Sequence, residues 1–410
     1  MLDIKLVRKN PKLVQQAAVN KGYKVDVSKL LKTDEEHRKL FQEVQKLHEK
    51  RNRLAKEKNR EEGEKLKKQL REKETKLANL KKQYDELLLT LPNLPKEDVP
   101  IGGDEAKNVV VRIHKEPPKL DFAPLDHIKL GQKLDLFDIQ RAAKVSGSRF
   151  GYLKNEAALL EFALVHFAFQ TLTKEGFIPV VPPALVKDEV MRGLGYMEQG
   201  GEDDMFVAGK DRLFFIGTAE HSIVPMHKDE TLSKQALPKR YVGFSSSFRR
   251  EAGSYGKDTR GIFRVHQFDK VEMVSFTKEE DDDKEHEYLL SLQEKLFQAL
   301  DLSYRVVNVC TGELGFPTAK KYDIEVWFPS QNRYREVTSA STTTDFQARR
   351  LHIKYQEDGE KKFVHILNGT AFAIGRTLIA ILENYQQKDG SVLVPKVLQP
   401  LVGFEVIQKK

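Results

Sequence analysis

The chain holds one cysteine, Cys310, among 410 residues. A single thiol excludes an intramolecular disulfide and a cysteine-based zinc site, and it suits a reducing compartment. Cys310 itself reads as a small buried hydrophobe. No apolar run approaches the roughly 20 residues of a membrane span. The opening MLDIKLVRKNP lacks the apolar core of a signal peptide and carries an early acid, unlike a transit peptide. These absences predict a soluble, cytoplasmic protein without a membrane partner. A GxxxxGK[ST] loop is also missing, so phosphate binding of the P-loop kind is not predicted.

What is present points to about two domains, because 410 residues exceed what one core usually organises. Hydrophobic residues make up 40% and charged residues 32%, enough apolar surface for a sizeable core beneath a charge-rich exterior. The formal net charge of +8 fits a polyanionic partner without specifying one.

Residues 34–91 carry no proline and a single glycine, Gly63. Leu40, Val44, Leu47 and Leu54 follow a heptad spacing with Arg51 in the missing slot. After Gly63 the spacing resumes at Leu66, Leu70, Leu77, Leu80, Tyr84, Leu87 and Leu91, with Lys73 in the gap. This pattern predicts two helices of about 40 Å, folded as an antiparallel coiled coil with its turn at Gly63. Residues 50–73 hold eleven Lys/Arg against five Glu, and Arg51, Lys58 and Lys73 interrupt the seam. The charge reads either as a solvated helix surface or as a basic finger for a nucleic-acid backbone. The Pro/Gly-rich stretch 92–105 reads as a linker. The expected division is therefore 1–105 and 106–410.

The second region alternates strands and helices, which predicts an α+β fold. An apolar helix is expected over 156–175, a strand at GFIPVVPP (176–183) and a last helix over about 371–387. The acidic run 279–283 reads as a solvated helix start rather than a metal site.

Between Phe248 and Phe268 the chain reads FRREAGSYGKDTRGIFRVHQF. Strand-like content at Tyr241–Arg250 and Ile262–Val274 predicts a hairpin around a flexible 252–261 turn. Spacing by even numbers puts Arg264, Phe268 and Glu272 on one face, and Arg249 and Glu251 on another shared face. If the faces coincide, guanidiniums, carboxylates and an aromatic plane meet on one surface. That set suits a nucleoside triphosphate beside a small ammonium group.

These residues carry a resemblance. FRREAGSYGKDTRGIFRVHQFDKVE resembles the second signature motif of the class II aminoacyl-tRNA synthetases, in their seryl branch. GFIPVVPP resembles the first, GTAE (217–220) the amino-acid loop, and LNGTAFAIGRTLIAILENYQ (367–386) the third, with Arg376 as its arginine. AAKVSGSRFGYL (142–153) and YDIEVWFPSQNRYREVTSASTTTDFQARR (322–350) are of the same type. The similarity spans nearly the whole chain. It implies an antiparallel β-sheet flanked by helices, in a homodimer, preceded by a helical coiled-coil arm that binds tRNA. It implies a serine–tRNA ligase that uses ATP with Mg²⁺ and no zinc.

By that resemblance Arg249 holds the α-phosphate and the serine carboxylate, Glu251 meets the adenine amine and Phe268 stacks on the ring. Arg264 and Arg376 grip the outer phosphates. Arg250, Val265, Val337 and Thr338 complete the ATP site, and Glu336 and Ser339 hold Mg²⁺. Catalysis then rests on Arg249, Arg376 and Glu336. Serine falls to Thr218, Ala219, Glu220, Arg249, Glu272, Asn368 and Thr370. The tRNA falls to Arg51, Arg53, Lys56, Lys65 and Lys67 on the arm.

Three details depart from the family pattern: Arg250 for a small serine, EVTS at 336–339, and Thr370 for serine. Strand parity turns Arg250 away from the ligand face. Glu336 and Ser339, three apart, can share a face only if their strand bulges or ends between them. The third-motif helix is expected to start just after Thr370, with its amides facing an anion. His221, His266 and His365 read as ordinary core or surface histidines. Two alternatives remain, a binding relative without catalysis and a ligase for a carrier protein. The intact arginines speak against the first and the arm against the second.

Overall fold

A computed structural model describes residues 1–57, 60–252 and 260–409, with the backbone alone at Arg60. Lys58 and most of the expected 252–261 turn lie outside these residues. The chain divides into two compact units, Met1–Leu94 and Pro95–Lys410.

In the first unit α1 (Val27–Lys56) and α2 (Arg60–Leu89) pair along their length. The Asp26 side chain accepts from the Lys29 amide at 2.8 Å and caps α1, so the helix starts seven residues before the expected 34. Arg53 and Lys56 close α1 while Glu61 and Glu62 open α2, each sign matching the helix dipole. Val44, Leu54, Leu66 and Leu70 are buried in the seam, with Leu47 and Leu77 against them. Where Lys73 interrupts it, the ammonium pairs with Glu43 across the helices at 2.5 Å.

The turn is not at Gly63, which lies inside α2; α1 ends at Lys56 and α2 begins at Arg60. A Cβ at Gly63 would meet nothing within 4 Å, so no backbone need holds the glycine there. Its penalty in a helix, about 1 kcal/mol, is offset by flanking Glu and Lys and by the apolar seam that continues through it.

The second unit is built on an eight-stranded sheet: β1 (Val109–His114), β2 (Ile178–Val180), β3 (Lys239–Phe248), β4 (Gln267–Thr277), β5 (Tyr304–Asn308), β6 (Lys320–Phe328), β7 (Arg333–Thr342) and β8 (His365–Ala373). Their order is β1-β5-β6-β7-β8-β4-β3-β2, antiparallel throughout except for the parallel β2/β3 pair. Helices α3 (Asn155–Lys174), α4 (Asp282–Ala299) and α5 (Ile374–Tyr385) pack on the sheet. Their Leu160, Leu164, Leu289, Phe297 and Leu378 join Met273, Val306, Ile324 and Phe372 in one core. Phe372 has Phe297 at 5.7 Å and Phe167 at 6.2 Å between ring centroids. This is the helix-flanked antiparallel sheet of the α+β class expected from the sequence. No helix among the described residues is long and apolar enough to cross a membrane.

Several boundaries differ from the expectation. β3 stops at Phe248 and β4 starts only at Gln267, so Arg249 and Arg264 sit on the loops flanking the hairpin and not on strands. β8 continues through Ala373, and α5 begins at Ile374 instead of just after Thr370. The β-rich run HILNGTAFA keeps pairing with β4, which delays the helix. The 279–283 acids do open a helix, but not as a wholly solvated start. Asp282 is buried, accepts from the Thr342 hydroxyl at 2.7 Å, and pairs with Lys96 and with His365 at 3.2 Å. Burial alone would raise its carboxyl, yet His365 and Lys96 outweigh that and hold it below the usual aspartate range.

Two irregularities matter for the site. Along β6/β7 the partners run Ile324↔Thr338 then Glu325↔Glu336, which makes Val337 an extra residue. Along β4/β8 they run Val271↔Phe372 then Glu272↔Thr370, leaving Ala371 extra. Both are β-bulges.

Candidate functional site

Alternation along β4 places Phe268, Lys270 and Glu272 on one face. Asn368 and Thr370 stand on β8 beside them, and Thr218 and Glu220 arrive from the short helix Glu220–Ile223 and the turn before it. Lys270, Glu272, Asn368, Thr370, Thr218 and Glu220, together with Arg249, Tyr196, His221 and Ser341, line a cavity of about 320 Å³. Three carboxylates line it, the half-buried Asp204 and the buried Glu220 and Glu272. Glu272 Oε2 lies 2.7 Å from the Lys270 ammonium and accepts from the Thr370 hydroxyl at 2.9 Å. Glu220 instead accepts from neutral donors, Tyr196 Oη at 3.1 Å and Gln347 Nε2 at 3.0 Å.

The electrostatics follow from this placement. Burial pushes the Glu220 carboxyl up, the Gln347 hydrogen bond opposes it, and Glu272 adds to the rise. Burial lowers Lys270, with Glu272 holding it back up in part. Burial, then Arg249 and Lys270, drive His221 well below its ordinary value. The ring is therefore neutral, and its Nδ1 accepts from the Gly217 amide at 3.2 Å. The Arg249 guanidinium donates to the Gly217 carbonyl at 3.2 Å and lies 5.4 Å from the Phe268 ring centroid. A small cavity with buried anions, a hydroxyl and a guanidinium can bind an ammonium, a hydroxyl and a carboxylate together.

A second cavity, of about 260 Å³, adjoins the first and shares Arg249, Lys270, Ser339 and Thr370 with it. Glu251, Arg264, Val265, Phe268, Glu336, Val337, Thr338 and Arg376 are also on its wall, with Lys321. Glu251 adopts a left-handed backbone, φ 55°, and its carboxylate pairs with Arg264. Arg264 thus enters from a loop and still reaches the cavity. Arg376, in the first turn of α5, sits 3.2 Å from Glu336 Oε2 and 5.0 Å from the Phe263 ring centroid. Glu336 keeps 44% of its side chain exposed at the cavity mouth. Desolvation opposes ionisation there, but Arg376 and Lys321 prevail and hold the carboxyl down to about 2.

The Val337 bulge answers the parity problem in EVTS. With one residue unpaired, Glu336 and Ser339 open onto the same cavity although they are three apart. A carboxylate and a hydroxyl are the hard oxygen donors that Mg²⁺ prefers, and two protein ligands leave room for phosphate oxygens and water. Among the described residues no three His, Cys, Asp or Glu side chains form a cluster able to hold a metal unaided.

Two expected residues stand apart. Arg250 is exposed and lines neither cavity, and its amide donates to the Asp204 carbonyl at 2.9 Å. Ala219 is fully buried in the core beside Ile223 and Val224 and lines neither cavity. On the arm, Arg51, Arg53, Lys56, Lys65 and Lys67 are all exposed, with Lys65 3.2 Å from Glu61. Lys270, Tyr196, Gln347 and Lys321 were not anticipated. The same parity that selects Phe268 and Glu272 selects Lys270 between them, so that residue was legible. Tyr196 and Gln347 come from distant segments and left no local signal.

The sheet, its motif-bearing hairpin and the two joined cavities define a class II aminoacyl-tRNA synthetase core. The class II tRNA synthetase core domain model (G, H, P, S and T) matches residues 206–385, and the seryl-tRNA synthetase N-terminal domain model matches 1–95. The serine–tRNA ligase of Thermodesulfovibrio yellowstonii is 44% identical over all of both chains, and that of Thermotoga petrophila 46% over 99% of this chain and 100% of its own. Among solved structures, the seryl-tRNA synthetase from Pyrococcus horikoshii complexed with ATP superposes with a TM-score of 0.95 at 41% identity, covering all of both chains. The cytoplasmic serine–tRNA ligase from Naegleria fowleri in complex with AMP gives 0.91 at 32%, over 100% of this chain and 99% of that one. The chain belongs to the seryl-tRNA synthetase family.

Proposed function

We propose that this chain is a serine–tRNA ligase working in two steps. An oxygen of the serine carboxylate attacks the α-phosphorus of ATP and pyrophosphate leaves, giving seryl-adenylate. A terminal ribose hydroxyl of tRNA(Ser) then attacks the acyl carbonyl and AMP leaves. The observation that carries this reading is the pair of joined cavities with Arg249, Lys270, Ser339 and Thr370 on their shared wall. A carboxylate from one and a phosphate from the other would meet there, beside cations that stabilise the charge developing between them.

In this reading Glu220 and Glu272 take the serine ammonium and hydroxyl, with Thr218, Asn368 and Thr370 beside them. A site built around a hydroxyl leaves polar groups unpaired with alanine, a discrimination of up to about 10⁴–10⁵. Phe268 stacks the adenine, Glu251 accepts from its amine, and Arg264 and Arg376 hold the outer phosphates. Mg²⁺ would be held by Glu336 and Ser339 and would neutralise phosphate charge. The pairing of Glu251 with Arg264 and of Glu336 with Arg376 keeps these groups in place before ATP arrives.

The basic, exposed end of the α1/α2 coiled coil supports a tRNA-backbone contact through Arg51, Arg53, Lys56, Lys65 and Lys67. A homodimer is supported by apolar residues left open on α3 and beyond β2: Phe162 is 69% and Val181 80% exposed. Translation and the lone thiol favour the cytoplasm. The test is serine-dependent exchange of labelled pyrophosphate into ATP without tRNA, with alanine, threonine and cysteine as controls. Exchange with serine is expected. No exchange from folded protein would overturn the reading in favour of a non-catalytic relative.

A further inference from the structure

The two buried carboxylates of the smaller-ligand cavity are satisfied in different ways. Glu272 is engaged by a cation, Lys270, at 2.7 Å. Glu220 makes its hydrogen bonds with neutral groups, Tyr196 Oη at 3.1 Å and Gln347 Nε2 at 3.0 Å. Gln347, from the helix Phe346–Leu351, is fully buried and lines neither cavity. Its amide orientation is dictated from behind: Nε2 donates to the Leu194 carbonyl at 3.3 Å, a group that can only accept, and Oε1 faces the Thr343 hydroxyl at 3.2 Å, whose proton is shared with the Ile366 carbonyl at 3.0 Å. With a carbonyl beside it, only the amino end can face Glu220.

Resting on the ligase reading above, we propose that Gln347, seconded by Tyr196, is a positioning residue for serine. It aims Glu220 and satisfies its oxygens without an ion pair, leaving that carboxylate's charge for the substrate ammonium. A lysine or arginine at the same place would neutralise Glu220 in advance. An apolar residue would leave a buried carboxylate short of one donor, which favours its protonated form and removes the charge that the ammonium needs. The other ionisable groups on the wall of this cavity are Tyr196, Asp204, His221, Arg249, Lys270 and Glu272. Burial drives His221 neutral and Tyr196 well above its ordinary value, so neither changes charge through the neutral range.

The experiment is pyrophosphate exchange by the full chain and by Gln347→Leu and Tyr196→Phe, with KM for serine and for ATP measured from pH 6 to 8.5. Loss of a hydrogen bond to a charged group predicts a KM for serine about 10- to 100-fold higher near pH 6.5 for Gln347→Leu. The increase should shrink as pH rises, because Glu220 regains its charge; KM for ATP stays within about twofold. Tyr196→Phe should move the same way by less. A serine KM that does not move, or a pH-independent rise shared equally by ATP, overturns the proposal and makes Gln347 a packing residue. If Gln347→Leu does not fold, Tyr196→Phe decides by the same criteria. Wild-type protein that fails to exchange with serine refutes the ligase reading; wild-type exchange with unmoved variants refutes this inference alone.

Discussion

Replacing Lys270 by methionine tests the electrostatic centre of the site most directly. Lys270 and Glu272 are both buried, their charged atoms are 2.7 Å apart, and the Thr370 hydroxyl also donates to Glu272 at 2.9 Å. Removing one member of a buried pair leaves an uncompensated charge, a loss of about 3–5 kcal/mol. The unfolding entropy near the midpoint is about 2 cal/mol/K per residue, so over roughly 300 residues that loss lowers the midpoint by about 5–8 °C. The assay is thermal unfolding followed by near-ultraviolet circular dichroism, which reports the aromatic-rich second unit. The double variant Lys270→Met/Glu272→Gln removes both charges and should recover at least half of the loss. Neither variant should support exchange, since both residues face the reacting groups. A single variant within about 1 °C of wild type, or a double variant no better than the single, would refute the view of Lys270 and Glu272 as a coupled buried pair.

Deleting Val337 removes the residue that β6 leaves unpaired, so Glu336 and Ser339 should no longer open onto one cavity. Pyrophosphate exchange should fall by about 10³-fold or more with circular dichroism unchanged. Asp282 is held below the usual aspartate range, so its contribution to stability is present above about pH 4 and is lost only as pH falls through its depressed folded value. Asp282→Asn should therefore be less stable than wild type near pH 6, and the two denaturation curves should converge in strong acid. Neutralising Arg51, Arg53, Lys65 and Lys67 together should reduce the slope of log affinity against log salt for tRNA by about 3, by filter binding. Serine activation should be unaffected, and its loss would break the proposed division of labour between the units.

Heptad leucines and the net charge of 50–73 were enough to read a basic coiled coil, because a helix seam repeats locally and needs no distant partner to be visible. The turn was misplaced because one glycine is a weak signal, worth about 1 kcal/mol in a helix that the seam holds together. Arg249, Glu251, Phe268, Glu272 and Arg376 were legible because they stand in contiguous motifs with fixed spacing. Arg250 and Ala219 were carried along with their neighbours, and neither lines a cavity, the first being exposed and the second buried in the core.

The sequence by itself determined the two-region plan, the α+β class, the family and most of the residues that line the cavities. Each is written in local periodicity or in an unbroken motif. Only the tertiary structure decided that Glu336 and Ser339 share a cavity, since an unpaired residue in one strand is defined by the strand beside it. It alone decided that Glu220 has Tyr196 and Gln347 for donors, 24 and 127 residues away, while Glu272 has Lys270. How a buried carboxylate is satisfied depends on whichever chain segments the fold packs against it, and no local pattern in the sequence encodes that.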